Sequence, residues 1–254
     1  MTAVILHIPH AAVAIPSIWL SLFTLREREI ENEILTMTDH YTDDLFDLGD
    51  VVAPLRFPVS RLLVDPERFS EDCDEPMAAC GMGAVYTSTH DGRQLKSGDA
   101  RDALMEAFYH PHHHALESMT AEALQRHGRC LIIDCHSFPS QPLPCDRDQT
   151  PDRPDFCIGT CEGHTPAALT ETAVKAFGDL GHSVLIDRPY AGTIVPLRYL
   201  GEESSKVCSV MIEVNRKLYM DEQSGLRSDA YSATKTTLHS ALTSIMQRWE
   251  EITE

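Results

Sequence analysis

Short apolar runs of strand length alternate along this chain with longer segments whose apolar residues recur at helical spacing. That alternation is what most narrows its fold. The runs are Val4–Ile8, Val51–Leu55, Leu62–Val64, Leu131–Asp134, Phe156–Gly159, Ser183–Ile186 and Val207–Val214. Between them lie Leu25–Leu48, Ala100–His127, Pro166–Phe177 and Ser228–Ile252, each long enough for a helix. Strands that are apolar throughout belong in a sheet covered on both faces, and such sheets are mostly parallel. The expectation is an α/β fold, and 254 residues suit one domain over 1–254 with a full core. No internal repeat, linker or low-complexity segment interrupts it.

Composition limits the function. The formal net charge is −18, which argues against a nucleic-acid partner, because phosphate recognition needs a basic face. A small anionic ligand remains compatible through local arginines, of which Arg56, Arg61 and Arg68 form one set. The eight cysteines include no CxxC pair, and several lie in or beside apolar runs. They read as free thiols of a reducing compartment. The N-terminus lacks a basic start and a long apolar stretch, and no run reaches membrane-spanning length. The expectation is a cytoplasmic protein with no membrane partner. Oligomeric state leaves no trace in the sequence.

Ligands of open α/β sheets gather beyond the carboxyl ends of the strands. Three runs end there in chemistry-bearing side chains. Val4–Ile8 is followed by His10, Leu131–Ile133 by Asp134 and His136, and Val207–Ile212 by Glu213 and Arg216. Within Leu25–Leu48 the apolar stripe Ile30, Ile34, Met37, Tyr41, Leu45 predicts one continuous helix. Asp39 and Asp43, four apart, would share a face of it. Two histidines and one carboxylate make a hydrolytic metal site that leaves a position for water, although the spacing matches no compact motif. The alternative is that these are polar loop and cap residues. Glu213 is placed to act as a general base, and Arg216 to fork onto a carboxylate; the plainer alternative is a solvated Glu–Arg pair. Arg61, Asp65 and Arg68 suggest a carboxylate-binding patch or, alternatively, a surface ion pair of small energetic value. His110, His112, His113 and His114 point in too many directions for one site, so solvated helix surface suits most of them. Cys135 and His136, adjacent on a strand, point to opposite faces and cannot act together. Ser137–Asp155, rich in Pro and Asp, reads as a loop over the site, with a lid as one use of it.

The segments HIPHAAVAIP (7–16), MTDHYTDDLF (37–46), FPVSRLLVDPERF (57–69), EPMAACGMGAVYT (75–87), YHPHHHAL (109–116), DCHSFPS (134–140), DFCIGT (155–160), RPYAGTIVP (188–196) and IEVNRKLYMDE (212–222) together resemble the N-formylglutamate amidohydrolase family. They occur in order and span most of the chain. The resemblance implies a three-layer α/β/α sandwich with a mostly parallel mixed sheet, phosphorylase/hydrolase-like and related to the zinc carboxypeptidases. It implies metal-dependent hydrolysis of an N-acyl amino acid, N-formyl-L-glutamate to formate and L-glutamate, and a place in histidine degradation. By the same resemblance His10, His136 and a carboxylate bind Zn²⁺ or another divalent ion, and Glu213 is the catalytic base. Arg61, Arg68, His113 and Arg216 bind a small anionic acyl amino acid. The related peptidases carry a ligand Glu three residues after the first His; Val13 stands there in this chain. The carboxylate then falls to Asp39 or Asp43, with Asp43 slightly favoured. The chain departs from the family pattern at Ala12, where Gly is frequent, and at Asp65–Arg68, where D-x-N-R is frequent. Two rivals follow: a related hydrolase for another acylamino acid or a small peptide, and an inactive binding protein of the same fold.

Overall fold

The structure, a computed structural model, describes residues 3–52, 54–202 and 206–252. Six strands form one sheet: β1 (Val4–Ile8), β2 (Pro54–Arg56), β3 (Cys130–Phe138), β4 (Phe156–Gly159), β5 (Val184–Ile186) and β6 (Val207–Asn215). Their order is β2-β1-β3-β6-β4-β5. β2, β1, β3 and β6 run parallel; β4 meets β6 antiparallel and carries β5 parallel to itself. The helices are α1 (Glu27–Met37), α2 (Thr42–Leu45), α3 (Arg101–Leu104), α4 (His110–His127), α5 (Ala167–Gly178) and α6 (Tyr231–Ile252). This is the mixed, mostly parallel sheet expected from the alternation of runs.

Period-two alternation sorts every central strand onto two faces. Val4, Leu6 and Ile8 of β1, Leu131, Ile133 and Cys135 of β3, and Val210, Ile212 and Val214 of β6 join Leu169 and Phe177 of α5 and Leu242 and Trp249 of α6 in one core. Ile5 and Ile132 pack on the other face against Leu116 and Ala123 of α4. That second face also receives His7, Asp134, His136 and Glu213. The register sets them side by side, His7 beside Asp134 across β1–β3 and His136 beside Glu213 across β3–β6.

Three expectations are corrected. The helix predicted over 25–48 is broken: α1 ends at Met37, Tyr41 takes a left-handed φ of 67°, and α2 restarts at Thr42. Leu62–Val64 is not a strand but a turn, though all three side chains are fully buried. No strand pairs with it among the described residues; the carbonyls of Leu62 and Leu63 accept instead from Lys96 Nζ at 2.5 and 2.9 Å. Within the predicted Val51–Leu55 run, only Pro54 and Leu55 fall in β2, and Ala53 lies outside the described residues. Met105–Tyr109 forms a π-helical turn immediately before α4, whose second residue is Pro111, a residue with no N–H to give to the preceding turn.

Candidate active site

His10 leaves β1 just after Pro9, and its carbonyl accepts the backbone N–H of Asp39 at 3.0 Å. This bond carries Asp39, released by the break after α1, onto the strand ends. The result is a buried trio. His10 Nδ1 lies 3.3 Å from His136 Nδ1, and Asp39 Oδ2 lies 3.2 Å from His136 Nδ1 and 3.6 Å from His10 Nδ1. The remaining nitrogen of each imidazole is held by a fully buried carboxylate. His10 Nε2 is 2.8 Å from Asp65 Oδ1, and His136 Nε2 is 3.0 Å from Asp134 Oδ1. Each imidazole thus engages its Nε2 outward and turns its Nδ1 toward the other and toward Asp39. Two imidazole nitrogens and a carboxylate oxygen around one point form a set that could hold a metal ion, with the Nδ1 protons released on binding.

Asp43 is not part of this set. It is exposed on the first turn of α2, its backbone carbonyl accepting from Arg56. The helix break removes the shared face that placed it beside Asp39. Arg56 is likewise exposed, paired with Asp47.

Arg216 faces inward, but its guanidinium is engaged. It donates to Thr36 O at 2.6 Å, Ser137 Oγ at 3.3 Å and Asp39 Oδ1 at 3.0 Å. The expected fork onto a ligand is instead a clasp on Asp39. Burial would raise the Asp39 carboxyl, but bonds to His10 and His136 and the Arg216 charge hold it well below the usual range. Glu213 is buried next to His136, and its Oε2 has no hydrogen-bond partner. Burial pushes its pKa up to about 8; the His136 and Arg216 charges pull it down and Asp39 adds to the rise. It is therefore not the solvated Glu–Arg pair that its sequence neighbourhood allowed.

Arg61 and Arg68 flank Asp65. Arg61 Nη2 donates to Asp65 Oδ2 at 2.8 Å and its Nε to Tyr86 Oη at 3.2 Å. Arg68 Nε lies 3.6 Å from Asp65 Oδ2 and is buried without a hydrogen bond, so of the two it keeps more donor capacity. His113 stacks on Tyr109 with ring centroids 4.1 Å apart, and its Nε2 donates to Pro66 O at 2.9 Å. His110 and His114 are exposed as expected. His112 is not: it is buried, with its Nε2 2.8 Å from His7 Nε2.

His7 was not singled out in the sequence. It sits on the site face of β1, with Nδ1 2.9 Å from Asp134 Oδ1 and 3.1 Å from Glu67 Oε1. Burial acts to lower its pKa, but the two carboxylates outweigh it and raise it to about 9. A charged His7 thus braces Asp134 from behind while His136 leans on it from the front. The period-two pattern of β1, which places His7 opposite Leu6 and Ile8, was the available signal.

These groups open into one cavity of about 610 Å³, lined among others by His10, Asp39, Arg61, Arg68, His113, His136, Glu213 and Arg216. The loop after β3 lines part of it, contributing Leu143, Cys145, Asp146 and Arg147. Arg153 ties that loop to Pro139 O, Asp146 and the Tyr190 hydroxyl.

A solved structure from Ralstonia eutropha described as N-formylglutamate amidohydrolase is similar in fold, with a TM-score of 0.82, 18% identity, and coverage of 97% of this chain and 94% of that one. A gene product of Agrobacterium tumefaciens aligns at a TM-score of 0.68, also 18% identical, over 96% and 92% of the two chains. No curated protein sequence matches the chain. The family model described as N-formylglutamate amidohydrolase matches residues 2–220, a span that contains every group of the buried site. The chain belongs to the N-formylglutamate amidohydrolase family.

Proposed function

We propose that the protein hydrolyses the amide of an N-acyl amino acid with the help of one divalent metal ion, and that N-formyl-L-glutamate, cleaved to formate and L-glutamate, is a substrate. The observation that carries this is the trio His10 Nδ1, His136 Nδ1 and Asp39 Oδ2 at 3.2–3.6 Å from one another. Ligand atoms about 2.0–2.1 Å from a tetrahedral ion stand about 3.3–3.4 Å apart, so these residues fit Zn²⁺ without rearrangement. When bound, the ion would polarise the scissile carbonyl and make water a nucleophile near neutral pH.

The chain's own residues supply the rest. Asp65 and Asp134 fix the tautomers of the two ligand histidines. Arg216 keeps Asp39 ionised and aimed at them. Glu213, raised by burial toward about 8, is poised near neutrality to take a proton from water and return it to the leaving nitrogen. Arg68, with Arg61 behind it, meets the substrate carboxylates, and His113 forms the wall beside them. In a chain of net charge −18 these arginines are what admit a dianion. We take residues 1–254 as one domain, supported by the single six-stranded sheet. The free state of all eight cysteines supports a cytoplasmic setting, and no helix among the described residues is long and apolar enough to cross a membrane.

Metal-loaded protein offered N-formyl-L-glutamate, N-acetyl-L-aspartate and a C-terminally free peptide tests this reading. Formate release from the first, well above turnover of the other two, is the expected result. Turnover of the peptide alone would replace the reading with a peptidase. Tight binding without turnover would replace it with a binding protein.

A further inference from the structure

We infer that the site accepts an N-acyl group larger than formyl, a hydrocarbon chain seated on the wall formed by residues 189–200; this rests on the N-acyl amino acid reading above. Size is the first reason. A cavity of roughly 150 Å³ holds a benzene ring, so N-formylglutamate, with about a dozen non-hydrogen atoms, needs roughly 300 Å³. The cavity here is about 610 Å³.

The lining says where the surplus lies. The two carboxylates behind the ligand histidines lead to two different walls. From His10, Asp65 leads to Arg61 and Arg68. From His136, Asp134 leads to the 189–200 segment, because its Oδ2 accepts the Ile194 backbone N–H at 3.0 Å. The first wall carries the Arg61 and Arg68 guanidinium groups beside Asp65 and Glu75. The second carries no charged side chain from Pro189 to Leu197, and it presents Ala191, Ile194, Val195, Leu197 and Leu200 to the cavity. An amide held between them, with its amino-acid carboxylates on the arginines, points its acyl carbon at the apolar wall.

That wall is already built. Ser209 Oγ donates to Ile194 O at 2.7 Å. Gly159 lets Gly192 come so close that a Cβ there would stand 2.1 Å from its carbonyl oxygen. At the rim Leu197 and Leu200 are 57% and 40% exposed. Scattered exposed leucines need no explanation, but two lining the cavity that holds the catalytic groups are surface awaiting an apolar ligand.

The test is kcat/KM for glutamate release by zinc-loaded protein from formyl-, acetyl-, butanoyl-, hexanoyl- and octanoyl-L-glutamate, each giving the same assayed product. Each fully buried methylene favours binding by about fourfold, so partial burial of the hexanoyl chain predicts a gain of at least about tenfold over formyl. The double variant Leu197→Asp, Leu200→Asp, altered only at exposed positions, should lower the hexanoyl-to-formyl ratio several-fold. A ratio that falls steadily with chain length overturns the acyl wall while leaving formylglutamate hydrolysis intact. Release from no member of the series overturns the underlying reaction, and the wall with it.

Discussion

Asp39 and Asp43 are chemically identical and four residues apart, yet only Asp39 reaches the histidines. The sequence could not separate them, because the break that does so falls at Tyr41, a left-handed residue that is neither Gly nor Asn, the usual markers of such a turn. His10, His136 and Glu213 were legible because each follows a strand-length apolar run. Asp39→Asn should abolish stoichiometric zinc binding, measured by metal analysis after dialysis, while Asp43→Asn should keep it. Behind the ligands, Asp134→Asn should weaken zinc affinity by about 10–100-fold, since it loosens the His136 tautomer; competition with a chromophoric chelator reads this.

Glu213 carries two opposed predictions. Glu213→Gln should lower kcat by roughly 10²–10⁴. In metal-free protein the same change should stabilise. The folded pKa of about 8 lies above the ordinary value of 4.5, so the folded state holds a proton that the unfolded state has released. Stability from this group is complete below pH 4.5 and is lost as pH rises toward 8. Metal-free Glu213→Gln should match the parent at pH 4.5 and exceed it by roughly 3–5 kcal/mol at pH 8, as denaturant titrations at the two pH values would show. Equal stability at both would mean that burial does not penalise the carboxylate.

At the scale of elements, register is what turns sequence into a site. His7, Asp134, His136 and Glu213 share a face because β1, β3 and β6 pair in phase, and a slip of one residue would turn a strand's whole set to the other face. That much follows from alternation. The 57–69 segment was not legible in the same way: Leu62, Leu63 and Val64 are as apolar as a strand, yet the carbonyls of Leu62 and Leu63 accept from Lys96 and the N–H groups of the stretch from 62 to 64 turn back to Ser60. Burial lowers the Lys96 pKa to about 7, a cost accepted to hold two carbonyls next to Asp65 and Arg68. Lys96→Met should destabilise the protein by about 2–4 kcal/mol, since each buried unpaired carbonyl costs about 1–3, with thermal unfolding as the measurement. An unchanged Tm would show that the carbonyls find other donors.

Across the whole molecule, the net charge of −18 contrasts with three arginines brought to the cavity, Arg61 and Arg68 at Asp65 and Arg216 at Asp39. Net charge argues against a nucleic-acid partner but carries no sign of that arrangement, which depends on Arg216, far along the chain from Arg61 and Arg68, folding back onto Asp39. The family match and the similar solved structures give the fold its class. The reaction depends on whether the trio at the strand ends holds a working metal. The most direct test is formate release from N-formyl-L-glutamate before chelation, after verified metal removal, and after zinc add-back, with Glu213→Gln alongside. Activity that vanishes with the metal, returns with zinc and stays low in the Glu213 variant is the predicted result. Undiminished turnover by metal-free protein would contradict it.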